Sequence, residues 1–319
     1  MEDFHVIGWV GIPLYAMLGV VSFGTFIWTV ARTKPHISFT VPRVFHILLL
    51  AFITVRLTWV CIKTLTEETD VTYALNRTAF SFYFSSFVLV VFQWAEIYHK
   101  NYIESIDERA RPFLPRLRWV FLFVITLIWV CQIGFVATKL AMDYNEGDAV
   151  YETNVLVDAF ASLVVSILFA IYGVLLLMHR KAEVAEIWGG ALDVGGILGI
   201  TLAFVVCFLL RVAMYLYRPI TGDYLPDAAF VTCAYYVPEI VPSLLQIYIV
   251  QTSKHKLRLE AEFIDNLYAE AEEETSKRYF GRGGVGGEEE EDGLYDHLRT
   301  ETSDLLLTPP SAALYTTFE

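Results

Sequence analysis

Residues 235–250 read YYVPEIVPSLLQIYIV, an apolar run that contains Pro238, Glu239 and Pro242 near its middle. A transmembrane helix needs about 20 mostly apolar residues, so the run is suited to a membrane span. A carboxylate is costly in lipid, and proline removes a backbone hydrogen bond. The sequence therefore predicts a helix that is kinked at Pro238 and Pro242, with Glu239 paired inside a bundle. Pro242 releases the carbonyl of Pro238, which a group on a neighbouring helix can take up.

The rest of the chain has the composition of an integral membrane protein. Of its 319 residues, 55% are hydrophobic and 18% are charged, whereas soluble domains have about 25% charged residues. Six more apolar runs are long enough to cross a lipid bilayer, and short loops connect them. Residues 1–250 therefore predict an all-α, seven-transmembrane helix bundle, with spans at 6–31, 44–66, 78–98, 118–138, 154–178, 195–217 and 228–250.

The distribution of Lys and Arg predicts how the bundle is oriented. Thirteen of these residues flank the spans on one side of the membrane and four on the other. Because Lys and Arg accumulate in cytosolic loops, the N-terminus is predicted to be luminal or extracellular and the C-terminus cytosolic. The sequon at Asn76 falls on the predicted luminal side, at the edge of the third span, and is a candidate N-glycosylation site.

Four ionisable residues lie deep in the predicted spans and form the candidate site. At a rise of ~1.5 Å per residue, Arg56 and Glu239 are both roughly 15–17 Å from the luminal ends of their helices. The second and seventh helices of a receptor-type bundle are neighbours, so an Arg56–Glu239 ion pair is predicted. By the same measure Asp158 and Arg211 lie roughly 6–9 Å deep, and a second pair is predicted between them. Such pairs either fix helix packing or form a ligand or ion site.

Several function classes lack their usual residues. The third span ends WAEIYHK rather than Asp-Arg-Tyr, and the seventh has neither Asn-Pro-x-x-Tyr nor a lysine for retinal. No metal-ligand spacing such as HExxH occurs, and the four cysteines lie in apolar runs, so no catalytic, cofactor or metal site is predicted. The net charge of −13 is concentrated in residues 251–319, with seven basic and sixteen acidic residues, which argues against nucleic-acid binding.

Three stretches within the spans resemble the tobamovirus-multiplication protein family of plants and its relatives, including animal orphan receptor-like proteins of the lysosomal membrane. The stretches are WAEIY at 94–98, CFLLR at 207–211 and EIVPS at 239–243. The resemblance covers roughly residues 6–255, and Pro238 departs from the family pattern. It implies a non-enzymatic docking platform of a vacuolar or lysosomal membrane, which holds small GTPases and bears on nutrient signalling. In plants, viral replication proteins exploit such relatives.

The C-terminal tail has two predicted parts. In residues 251–280, apolar side chains recur at helical spacing behind Lys254, Lys256 and Arg258, which predicts an amphipathic cytosolic helix. Residues 281–319 contain glycine and glutamate runs that bury little surface, and a disordered tail is predicted.

Two sorting patterns lie in the predicted disordered tail. One fits the tyrosine-x-x-hydrophobic signal and the other the acidic dileucine signal. Clathrin adaptors bind both types of signal, so the tail favours vacuolar, lysosomal or endosomal delivery over the plasma membrane. The residues of the two patterns are Tyr295 and Leu298, then Glu301, Leu305 and Leu306.

The sequence is consistent with three functions. The leading hypothesis is a non-enzymatic membrane platform or receptor-like regulator that recruits small GTPases or clathrin adaptors. The second is an orphan G-protein-coupled-like receptor with a ligand pocket near Arg56 and Glu239. The third is a transporter, although only the seventh span is strongly broken.

Overall fold

Seven helices account for most of the chain that the computed structural model describes, namely residues 2–32, 41–66, 69–99, 113–142, 148–178, 194–223 and 225–251. This part of the chain contains no strand, and all seven helices are long and apolar enough to cross a membrane. The predicted all-α, seven-span fold is thus confirmed. The helices are α1 (Glu2–Arg32), α2 (Val41–Leu65), α3 (Asp70–Tyr98), α4 (Phe113–Met142), α5 (Ala149–Met178), α6 (Val194–Thr221) and α7 (Asp227–Gln251).

Beyond residue 251, the predicted tail lies outside the described residues. This applies to the amphipathic helix predicted over 251–280, to the tail over 281–319, and to both sorting patterns. They stay predictions.

Helix α3 begins eight residues before the span predicted at 78–98. Its start is set by a capping box: the Thr69 side chain accepts from the Thr72 amide at 3.3 Å, and the Thr72 hydroxyl accepts from the Thr69 amide at 2.9 Å. The hydropathy pattern missed this first part of the helix because it contains polar residues. The early start brings Asn76 and Arg77 into the bundle.

Helix α7 is interrupted by a π-helical turn over Thr232–Tyr236. The Val237 amide donates to the Thr232 carbonyl, five residues back, and the next residue is Pro238, which has no amide hydrogen to continue the ladder. The Tyr83 hydroxyl on α3 donates to the carbonyl of Pro238. The carbonyl that Pro242 releases is therefore taken up by a neighbouring helix, as predicted from the sequence.

The helices surround α3. Helix α3 packs against α2, α4 and α5, while α1 contacts both α2 and α7, and α6 contacts both α5 and α7. In the most apolar stretch of α3, 78% of the residues are buried, whereas in that of α4 only 6% are buried. Helix α3 is therefore the core element, and α4 lies at the edge of the bundle with most of its surface available to lipid.

Aromatic side chains fill the centre of the bundle. Their rings meet mainly edge to face or tilted, with centroids 4.7–6.4 Å apart, for example Phe87 against Phe204 and Phe169 against Phe204. These contacts join α3, α5 and α6 into one apolar layer. The fully buried members of this layer are Tyr83, Phe84, Phe87, Phe169, Phe204 and Phe208.

Close packing of α5 on α6 leads to a stability prediction. A Cβ added at Gly173 would lie 2.3 Å from Cγ2 and 2.5 Å from Oγ1 of Thr201, whose hydroxyl donates to the Ile197 carbonyl and so fixes the rotamer. We expect Gly173→Ala to destabilise the bundle by about 1–3 kcal/mol through overpacking. The measurement is the thermal unfolding midpoint of the detergent-purified protein. Gly199→Ala is the control, because its Cβ would have no neighbour within 4 Å; equal midpoints for both variants would contradict the packing.

Candidate functional site

The carboxylate of Glu239 is the centre of the candidate site. It is fully buried on α7, and its Oε1 accepts from Nη2 of Arg56 on α2 and, at 3.3 Å, from Nη1 of Arg211 on α6. Its Oε2 accepts from the Tyr15 hydroxyl on α1 at 2.6 Å. The structure thus contains the predicted Arg56–Glu239 ion pair and adds two partners, so four helices meet at one carboxylate.

The π turn of α7 supplies an aromatic ring to this site. The Tyr235 ring centroid lies 4.9 Å from Cζ of Arg56 and 5.8 Å from Cζ of Arg211, so one ring faces both guanidinium groups. One turn beyond the carboxylate, the Ser243 hydroxyl donates to the Glu239 backbone carbonyl at 2.6 Å. The backbone carbonyl of Glu239 is therefore hydrogen-bonded in addition to its side chain.

The Glu239 site holds two guanidinium groups but only one carboxylate. A buried charge without compensation is strongly destabilising. Arg211 is compensated largely by neutral groups: its Nη2 donates to the Tyr215 hydroxyl at 3.0 Å, and its Cζ lies within 5.1–5.8 Å of several aromatic rings. Those rings belong to Phe80, Tyr83, Phe84, Tyr215 and Tyr235.

A second polar cluster surrounds Asp158 on α5. Its Oδ2 accepts from Nη1 of Arg77 on α3, and its Oδ1 accepts from Nε2 of Gln132 on α4 at 2.8 Å. Nη1 of Arg77 also donates to Oδ1 of Asn154 at 3.1 Å, and Nδ2 of Asn154 donates to the Tyr73 hydroxyl at 2.8 Å. This cluster contains one positive and one negative group and joins α3, α4 and α5.

The predicted ion pair between Asp158 and Arg211 is wrong. Asp158 pairs with Arg77, and Arg211 pairs with Glu239. Depth matching failed here because the third span predicted at 78–98 excludes Arg77. Since α3 begins at Asp70, Arg77 lies two turns inside the helix and reaches Asp158 first.

Asn76 connects the two clusters. Its Oδ1 accepts from Nη1 of Arg56 at 2.6 Å, while the next residue, Arg77, belongs to the Asp158 cluster. The structure thus gives Asn76 a role inside the bundle, and its glycosylation stays a prediction. Together the two clusters form one polar network with a residue from every helix: Tyr15, Arg56, Asn76, Arg77, Gln132, Asn154, Asp158, Arg211 and Glu239.

The sequence reasoning missed the neutral members of this network. Tyr15, Gln132 and Asn154 carry no charge, so a search for ionisable residues passed over them. The usable signal was position: each is a hydrogen-bonding side chain inside an otherwise apolar run. Glu96, a third acidic residue of the spans, pairs with Nη2 of Arg118 at 3.1 Å in a partly exposed contact near the other end of α3.

The chemistry of the network is that of charge pairing and hydrogen bonding. The four cysteines are free, and the described residues contain no group of His, Cys, Asp and Glu side chains placed to hold a metal ion. The arrangement fixes the relative depth of seven helices, because each charged group has its partners at one level of the bundle.

Comparison with known proteins identifies the family. Residues 4–262 match the THH1/TOM1/TOM3 domain. The chain belongs to this family. A curated relative, tobamovirus multiplication protein 1 of Arabidopsis thaliana, is 26% identical over 185 residues, which are 57% of this chain and 60% of the relative. The chain therefore aligns with less than two thirds of that protein. Two of the stretches that resemble the family contribute Arg211 and Glu239, which are in contact.

The shared carboxylate predicts an unequal effect of substitutions at the Glu239 site. Glu239→Leu leaves two buried guanidinium groups without a carboxylate partner, whereas Arg56→Leu leaves Glu239 paired with Arg211. We expect Glu239→Leu to lose about 3–5 kcal/mol of stability, the usual cost of breaking a buried pair, and Arg56→Leu to lose less. The measurement is the thermal midpoint in detergent.

A set of multiple variants separates the shared carboxylate from a simple pair. The double variant Arg56→Leu/Glu239→Leu still leaves Arg211 buried without a carboxylate partner, so we expect it to stay unstable. Adding Arg211→Leu should recover stability, since no unpaired charge is left in the cluster. Full recovery in the double variant would contradict the role of Arg211.

The corrected pairing of Asp158 is tested by a double-mutant cycle. We expect the Arg77→Leu and Asp158→Leu substitutions to be coupled by about 0.5–3 kcal/mol, as is usual for residues in direct contact. The matched control is the cycle between Asp158→Leu and Arg211→Leu, which should show smaller coupling. If the control cycle showed the larger coupling, the depth-matched pair would be the true one.

Proposed function

We propose that the chain is a non-enzymatic platform of a vacuolar, lysosomal or late endosomal membrane that recruits small GTPases or clathrin adaptors. In this proposal the N-terminus is luminal, and the loops and the tail after α7 face the cytosol. The seven-helix bundle anchors these segments in the bilayer.

The observation that carries the proposal is membership of the THH1/TOM1/TOM3 family over residues 4–262. The family resemblance implies a docking platform, and the curated relative is named for tobamovirus multiplication. We extend the docking role to this chain. The proposal includes nutrient signalling as the process served and viral replication proteins as further users of the platform.

The interior of the bundle supports a scaffold over a ligand-binding receptor. A receptor pocket near Arg56 and Glu239 would need open space beside these groups. Instead, both side chains are fully buried, and the Phe52, Trp59 and Tyr235 rings lie 4.9–5.8 Å from Cζ of Arg56. The polar groups are used to hold helices together, which leaves recognition to segments outside the bundle.

Proximity labelling tests the recruitment. A biotin ligase fused to the C-terminus of the full chain is expected to label small GTPases or clathrin adaptors. The matched control is the same fusion on a chain that ends at residue 251, which keeps all seven helices. Enrichment of heterotrimeric G proteins would favour the receptor, and labelling of neither class would overturn the platform proposal.

The sorting patterns predict a change of location. Tyr295→Ala combined with Leu305→Ala and Leu306→Ala should shift the protein to the cell surface, because adaptors bind through these side chains. Surface biotinylation measures the shift, and a severalfold rise in the surface fraction is expected.

The control for this shift is Tyr279→Ala, which removes a tail tyrosine that is followed three residues later by Arg282 rather than a hydrophobic residue. It should leave the distribution unchanged. An unchanged distribution in the triple variant would remove the sorting role of both patterns.

A further inference from the structure

Helices α1 and α7 run side by side in the same direction. The Tyr236 hydroxyl donates to the Ile7 carbonyl at 2.8 Å, and further along both helices the Tyr15 hydroxyl donates to Glu239 at 2.6 Å. Because the residue numbers rise together along the contact, the two helices are parallel. Their register can therefore be extended beyond Glu239.

Two buried polar residues follow at the same spacing on both helices. Seven residues beyond Tyr15 is Ser22, and seven residues beyond Glu239 is Gln246. Seven residues are about two helical turns, or ~10.5 Å. Each residue therefore lies on the same face of its helix as the residue in the preceding contact, and both lie a similar distance further along. Ser22 is fully buried, and Gln246 is 2% exposed.

Both residues have an unsatisfied oxygen. Neither the Ser22 hydroxyl nor the Gln246 amide oxygen has a hydrogen-bond partner within the part of the chain that the structure describes. Other hydroxyls in the bundle donate to the carbonyl four residues back, as Thr54 and Ser243 do. A buried polar atom without a partner destabilises the folded state, so these two oxygens require a hydrogen-bonding occupant.

The polar residues continue towards the end of α1. Thr29 lies a further seven residues beyond Ser22 and is 6% exposed. On α7, the buried Ser243 lies between the carboxylate and Gln246. We call this row the α1–α7 seam; it consists of Tyr15, Ser22, Thr29, Glu239, Ser243 and Gln246.

We propose that the α1–α7 seam binds water and forms a hydrated path from Glu239 to the end of the bundle at which α1 and α7 terminate. Water is the occupant that suits both oxygens, because it donates to the amide oxygen of Gln246 and exchanges hydrogen bonds with the Ser22 hydroxyl. Polar residues within membrane spans commonly mark solvent or ion pathways. The path gives solvent access to a carboxylate that joins four helices.

Cysteine accessibility tests the path. Ser22→Cys, Thr29→Cys and Gln246→Cys are made singly in the full chain, which is kept in native membranes and treated with methanethiosulfonate ethylammonium. Mass spectrometry of peptides measures labelling at each position, so the four native cysteines can stay. The reagent reacts only with a hydrated thiolate, so it reports water at the introduced side chain.

The matched controls are Phe23→Cys on α1 and Leu244→Cys on α7, which are next to the seam in sequence but expose apolar side chains on the outside of the bundle. We expect Ser22→Cys and Gln246→Cys to be labelled at least tenfold faster than these controls. Labelling of both seam positions at the control rate would overturn the proposal. Labelling of Thr29→Cys alone would overturn it too, because the path would then stop short of Ser22.

Discussion

A carboxylate buried among apolar helices must find partners, and the core of this protein is organised around that constraint at Glu239. Taking a carboxylate out of water costs several kcal/mol, which attraction to an opposite charge repays only with good geometry and further hydrogen bonds. Glu239 has both, from Arg56 and Arg211 and from the Tyr15 hydroxyl. Because these partners come from three other helices, satisfying one group fixes the positions of four helices.

The geometry of α7 follows from the same requirement. A proline directly before the carboxylate interrupts the ladder of amide hydrogen bonds, and the π turn over Thr232–Tyr236 accommodates this interruption. The turn places the Tyr235 ring against both guanidinium groups, while Tyr83 takes up the Pro238 carbonyl. Features that weaken an isolated helix thus add contacts within the bundle.

Helix α3 links the Glu239 cluster to the Asp158 cluster. Its consecutive residues Asn76 and Arg77 contact Arg56 and Asp158, so the two clusters cannot move independently. Single polar contacts in membranes contribute only ~0.6 kcal/mol on average. The value of the network is therefore specificity: a shifted helix would leave buried charges unpaired, which costs far more than a correct pair contributes.

The sequence was sufficient to predict the helices and one ion pair, and the reasons for its failures are physical. Depth along a helix is readable from residue spacing, so Arg56 and Glu239 could be matched. The start of α3 could not be located by hydropathy, because the capping box at Thr69 begins the helix within a polar segment. That error hid Arg77 and gave Asp158 the wrong partner. The sequence also could not predict that two arginines share Glu239, because matching residues by depth assigns one partner to each charge.

The Glu239 site contains one more arginine than it has carboxylates, and aromatic residues compensate the additional charge. Arg211 is held by aromatic faces and the Tyr215 hydroxyl, together with a share of one carboxylate. The rings that compensate its charge also pack around the guanidinium group, so the residues that make a second cation tolerable are part of the core of the bundle. The α1–α7 seam differs, because the Ser22 hydroxyl and the Gln246 amide oxygen are buried without a hydrogen-bond partner among the described residues. In the proposed hydrated path, solvent reaches Glu239 along the α1–α7 seam, whereas its charge is compensated by Arg56 and Arg211.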